Sequence, residues 1–140
     1  FKNVRSAFYD MEIRRDAKMT VYRHGKRAKN PEEPTLVFSI ILNQVNDEAY
    51  IFLEPNFEDL PIRLKWLGPE KNQEGEITFE GGDKFAHFEF AEQITPLLID
   101  NATFEVWQID NWKPLWADEK EKNAVMVTIE DYQKLIGKTK

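Results

Sequence analysis

The chain has 140 residues, no cysteine, a net charge of −6, and 41% hydrophobic and 13% aromatic residues. These values exclude disulfides, thiolate metal sites and thiol nucleophiles, and they do not describe a disordered chain. The length fits one domain over 1–140, able to bury a core without a covalent staple, and no apolar run approaches the ~20 residues of a membrane-spanning helix.

The charge is uneven. Residues 1–30 carry nine Lys/Arg against three acids, whereas the other 110 carry ten against 22. Such asymmetry marks either a surface for an anionic partner or a basic segment lying against the acidic remainder.

Taken in chain order, most of the sequence alternates with period two between turn signals, the pattern of short strands. In AFYDMEIRR (7–15), Tyr9, Met11 and Ile13 share one face, and KMTVYR (18–23) follows after a turn. HGKRAKNPEEP (24–34) has two prolines and no apolar pattern, so it reads as a loop. LVFSIIL (36–42) is apolar on both faces, which predicts a central strand. AYIFLEP (49–55) and LPIRLKWL (60–67) follow, the latter with Ile62, Leu64 and Trp66 inward and Arg63 and Lys65 outward.

EITFEGGDKFAHFEF (76–90) reads as a hairpin around Gly81–Gly82, pairing Phe79 with Phe85 and Glu80 with Lys84. Residues 91–100 predict a short irregular helix in which Thr95 caps and Pro96 is the first helical residue. FEVWQI (104–109) is a strand, and Asp110–Asn111 turns the chain into a brief return. DEKEKN (118–123) reads as a loop and AVMVT (124–128) as a last strand. TIEDYQKLIG (128–137) is the clearest helix, with Thr128 as cap. The expected fold is all-β: a mostly antiparallel β-sandwich, Ig-like, or a small barrel, of nine or ten strands, with a C-terminal α-helix and one short irregular helix.

Functional readings follow from the residues left over. Trp107, Trp112 and Trp116 fall within ten positions, and Trp112 lies between a turn and a proline where no local pattern pulls it inward. Trp107 shares a face with Glu105 and Ile109 and is expected to be buried, and the face of Trp116 is undecided. Exposed and coplanar, Trp112 with Trp107 or Trp116 would form the sugar platform of a carbohydrate-binding module; folded back, they are core. Arg23, His24, Lys26, Arg27 and Lys29 form a basic stretch that suits an anion or an acidic protein partner. The acidity of the remaining chain speaks against nucleic acid.

His24 and His87 are the only histidines and show no metal-binding spacing, and His87 reads as a satisfied core or edge residue. The chain lacks a G-x-S-x-G nucleophile motif and any phosphate-binding glycine loop; Gly81–Gly82 reads as a hairpin turn. A small hydrolytic enzyme, the least favoured reading, would require a deep pocket joining His87 to carboxylates. The expectation is a non-enzymatic binding domain without cofactor or metal, acting through protein–protein interaction, with carbohydrate binding as the alternative. The chain begins with Phe1, and an exported, periplasmic location is expected, with a cytoplasmic one as the alternative.

Overall fold

A computed structural model describes residues 5–29, 32–57, 60–70 and 72–137. The protein is mostly β, with two antiparallel four-stranded sheets and two α-helices, one of them C-terminal. The first sheet is a meander of β1 (Tyr9–Arg14), β2 (Met19–His24), β3 (Leu36–Asn43) and β4 (Glu48–Pro55), in that order. The second comprises β5 (Ile62–Leu67), β6 (Glu74–Phe79), β7 (Thr103–Gln108) and β8 (Asn111–Leu115), in the order β6-β5-β7-β8. Helix α1 (Lys84–Ile99) connects β6 to β7, and α2 (Glu119–Leu135) follows β8.

The strands form where alternation is clean and β-branched or aromatic residues are dense. β3 is an inner strand, as its double-sided apolarity predicts, and Leu36, Phe38, Ser39 and Ile40 are buried. β1 is an edge strand. Tyr9 is buried, but its face-mates Met11 and Ile13 are 58% and 52% exposed. The helices lie elsewhere: α1 packs on β4, and α2 on β2, β3 and β4. One hydrophobic cluster draws on both sheets and both helices, from Tyr22 and Phe38 to Phe104, Phe90 and Ile129.

Three sequence expectations are corrected. The 76–90 hairpin does not form. β6 ends at Phe79, which pairs with Ile62 of β5, and the two glycines, at φ +90° and +133°, turn the chain into a helix. Asp83 caps that helix, its Oδ1 accepting from the Phe85 and Ala86 amides at 3.0 and 3.2 Å. The run KFAHFEF is therefore the start of α1. Phe90, Ala91, Ile94 and Leu98 form the buried helical stripe, while Phe85 is 69% exposed.

The irregular helix at 91–100 is instead the second half of α1. Pro96 lies inside it, and Thr95 does not cap but returns a hydroxyl hydrogen bond to the Ala91 carbonyl at 2.7 Å. Burial of the stripe outweighs the ~3 kcal/mol that an interior proline costs.

Finally, 118–128 is neither loop nor strand. Asp118 accepts from the Lys120 amide and opens α2 a full ten residues early. Ala124, Val125, Thr128, Ile129 and Tyr132 form its buried face, and the Thr128 hydroxyl donates to the Ala124 carbonyl at 2.8 Å. Eight strands, not nine or ten, are present among the described residues.

Candidate functional site

The second sheet turns one face to the core, with Ile62, Leu64, Phe104, Val106 and Leu115 buried. Alternation then sends Arg63 and Lys65 of β5, Glu105 and Trp107 of β7, and Trp112 and Pro114 of β8 to the opposite face. Trp107 and Trp112 are direct cross-strand partners, with ring centroids 5.3 Å apart and planes at 71°. Both indoles are half-buried. The Arg63 guanidinium carbon lies 5.5 Å from the Trp107 ring and 5.2 Å from that of Trp112, and Lys65 Nζ is 4.7 Å from Trp112. Two cations thus rest on one edge-to-face aromatic pair.

Neighbouring carboxylates fix these cations. Arg63 donates twice to Glu76, at 2.9 and 3.3 Å, and Lys65 lies 3.4 Å from Glu105. The Arg63 hydrogen bond holds Glu76 below the usual carboxylate range, and Glu76 in turn raises the guanidinium. The face is charged but balanced. At its tip, in the β7–β8 turn, Ile109 is 89% exposed.

Trp116 does not join this platform. It is 2% exposed, its Nε1 donates to the Leu36 carbonyl at 2.7 Å, and its ring meets Phe104 edge-on at 4.9 Å. It links the end of β8 to β3 of the other sheet. The structure therefore brings together two of the three candidate tryptophans and places the third in the core. Trp66, expected inward, is only partly buried against that core.

The basic stretch is largely consumed by its own surroundings. Arg23 donates to both Glu54 oxygens at 2.7 and 2.9 Å and to Glu12 at 2.8 Å. Arg27 meets Asp10 at 2.7 Å and the His24 carbonyl at 2.8 Å. Lys29 reaches the Gly25 carbonyl at 3.2 Å. His24 is buried against Tyr9, its Nδ1 accepting from the Lys26 amide. Hydrogen bonds from Arg14 and Arg23 lower Glu12 to about 2, and the Arg27 hydrogen bond lowers Asp10. Only part of the expected neutralisation comes from the distant acidic remainder, through Glu54; Asp10 and Glu12 belong to the adjacent strand.

His87 is satisfied, as its sequence context suggests. Its Nδ1 accepts from the Leu53 amide at 2.9 Å, and its ring lies 4.5 Å from Phe52 and 4.9 Å from Phe79. Desolvation lowers its pKa, which favours the neutral ring that this geometry requires. The cavity beside it, about 290 Å³, has mostly apolar walls and, among the described residues, no carboxylate. Among the described residues no three His, Asp or Glu side chains gather as a metal site, and no helix is long and apolar enough to cross a membrane.

Sequence reasoning placed Arg63 and Lys65 outward but gave them no role. Their meeting with the indoles depends on the pairing of β5 with β7, in which Leu64 faces Val106 and Lys65 faces Glu105. No signal within either strand specifies that register. The chain matches no protein-family model, no curated protein and no solved structure.

Proposed function

We propose that the protein is a non-enzymatic binding domain that engages a protein partner through the outer face of its second sheet. Trp107 and Trp112 form the centre of the contact, with Arg63 and Lys65 holding them in place. One observation carries the reading: a partly exposed indole pair, clamped by two cations that are themselves ion-paired, on the opposite side of the sheet from the core. Tryptophan and arginine are the residues that dominate binding energy at protein interfaces, and a prearranged pair loses little freedom on contact. Because Arg63 and Lys65 are balanced by Glu76 and Glu105, the matching partner surface is apolar at its centre and neutral in charge. The layering expected from sequence, an Ig-like sandwich or small barrel, belongs to this proposal; the shared core supports it, although neither sheet closes on itself.

Carbohydrate binding has less support. Sugar rings stack on flat, open indole faces, but these two planes stand at 71° and their faces are occupied by cations. The basic stretch also has less support, because Arg23 and Arg27 already hold carboxylates.

The test compares proteins retained from source extract by immobilised wild type, Trp107→Ala/Trp112→Ala and Arg27→Glu. A partner kept by wild type and Arg27→Glu but lost by the double variant is expected. A partner lost on Arg27→Glu and kept by the tryptophan variant would overturn the assignment. A glycan titration followed by tryptophan fluorescence is expected to give no saturable change.

A further inference from the structure

A cavity of about 360 Å³ opens between the second sheet and the start of α2. This is the size of a small-ligand site, roughly 300 Å³ or more. The residues that line it include the exposed Leu67 and Pro114, the almost wholly buried Phe104, Leu115 and Trp116, and two cations, Lys65 and Lys122. Lys122 is only 8% exposed. Its Nζ donates to Asn101 Oδ1 at 3.1 Å and to the Ala102 carbonyl, and lies 6.0 Å from the Phe104 ring. These are neutral partners. Among the described residues no carboxylate is within ion-pair distance of Nζ.

Lysine is seldom buried to this degree without a paired charge, because desolvating an ammonium costs several kcal/mol that carbonyl dipoles offset only in part. The two carbonyl contacts tie α2 to the turn between α1 and β7, which explains two of the three ammonium protons. They leave the ammonium charge without a carboxylate in direct contact among the described residues, in a group that lines an open cavity. Two acids line the same cavity, but Glu105 is joined to Lys65 and Glu119 is exposed.

We propose that this cavity is a carboxylate-binding site, with Lys122 taking the carboxylate and the exposed Leu67 and Pro114 of its wall taking an apolar body. The carboxylate has two possible sources, a free organic acid or the C-terminus of a peptide. The inference does not require the tryptophan face to bind a protein, and its test uses no partner.

Calorimetry and amide NMR with benzoate, N-acetylphenylalanine and benzamide test it on the intact chain. Benzoate stands for a free acid, N-acetylphenylalanine for a chain terminus, and benzamide is the uncharged control. Saturable binding of a carboxylate is expected, with benzamide at least about tenfold weaker and Lys122→Gln weakening the carboxylate by a similar factor, as loss of a charge-assisted contact implies. Whichever of the two acids binds more tightly identifies the source. If Lys122→Gln does not fold, Leu67→Trp narrows the cavity from its rim without touching Lys122 and is expected to abolish binding. Equal binding of benzoate and benzamide, full binding by Lys122→Gln, or no saturable binding of either acid overturns the proposal.

Discussion

The outer faces of the two sheets use the same kinds of residue to different ends. On the first sheet, Arg23 is held by Glu54 and Glu12 beside Val21 and Ser39, which are 1% and 0% exposed. On the second, Arg63 is held by Glu76 and Lys65 lies 3.4 Å from Glu105, both pairs more exposed than Arg23–Glu54, and their neighbours are two indoles that stay partly exposed. Arginine–carboxylate pairing is therefore not what distinguishes a candidate site in this molecule. The distinguishing feature is the kind of apolar surface beside the cations: on one face partly buried side chains such as Val37, Ile41 and Phe52, on the other a cross-strand indole pair with Ile109 beside it. A positive stretch in the sequence pointed at the first face, and tertiary pairing shifts attention to the second.

The sharpest way to break this comparison is through the tryptophans themselves. Trp116→Ala is expected to cost about 3–5 kcal/mol in chemical denaturation, because it empties a core position and orphans the Leu36 carbonyl. Trp112→Ala, on the open face, is expected to cost less than about 1.5 kcal/mol, the scale of a lost aromatic pair, while removing partner binding. Equal destabilisation by the two would show that the platform is core and end its functional reading.

The first-sheet network predicts a pH dependence. Glu12 is lowered from 4.5 to about 2 in the folded chain. A lowered carboxylate pKa contributes stability at pH values above about 4.5 and loses it as pH falls towards 2, because the unfolded chain takes up the proton first. Denaturation midpoints between pH 6 and pH 2 are expected to fall in that window, and Glu12→Gln is expected to flatten the fall. An unchanged profile in Glu12→Gln would mean that this network does not stabilise the first sheet.

The smallest effect is expected at Ser39. Its buried Oγ has no hydrogen-bond partner among the described residues, so Ser39→Ala is expected to leave stability unchanged or raise it by up to about 1 kcal/mol. A loss above that would show the hydroxyl to be engaged and would reopen a role for the first sheet.

Much of the fold was legible. β2, β3, β4, β5 and β7 fall close to where alternation predicted them, and β3 is an inner strand, as its apolarity on both faces implied. The failures share a cause. KFAHFEF and AVMVT are rich in aromatic and β-branched residues, and over five to seven residues such runs satisfy a strand reading as well as a helical one. Asp83 and Asp118, each a helix cap, carried the contrary signal, but both resemble ordinary turn residues until a helix follows. Of the site, the inward or outward direction of each β5 side chain was readable, whereas β7 carries apolar residues on both faces and Trp107 reads as buried although it lies on the outer one. The meeting of Arg63 with Trp107 and Trp112 was not.

By itself the sequence determined a mostly β chain without disulfides, its principal strands and the face that each β5 side chain takes. Only the tertiary structure decided that Trp116 is core and Trp112 is not, that the basic stretch is held by Asp10, Glu12 and Glu54, and that Lys122 is buried beside a cavity. Side-chain direction follows from backbone period, which is local. Partners depend on strand register and helix docking, which join residues as far apart as Leu36 and Trp116 and are fixed by burial over the whole core.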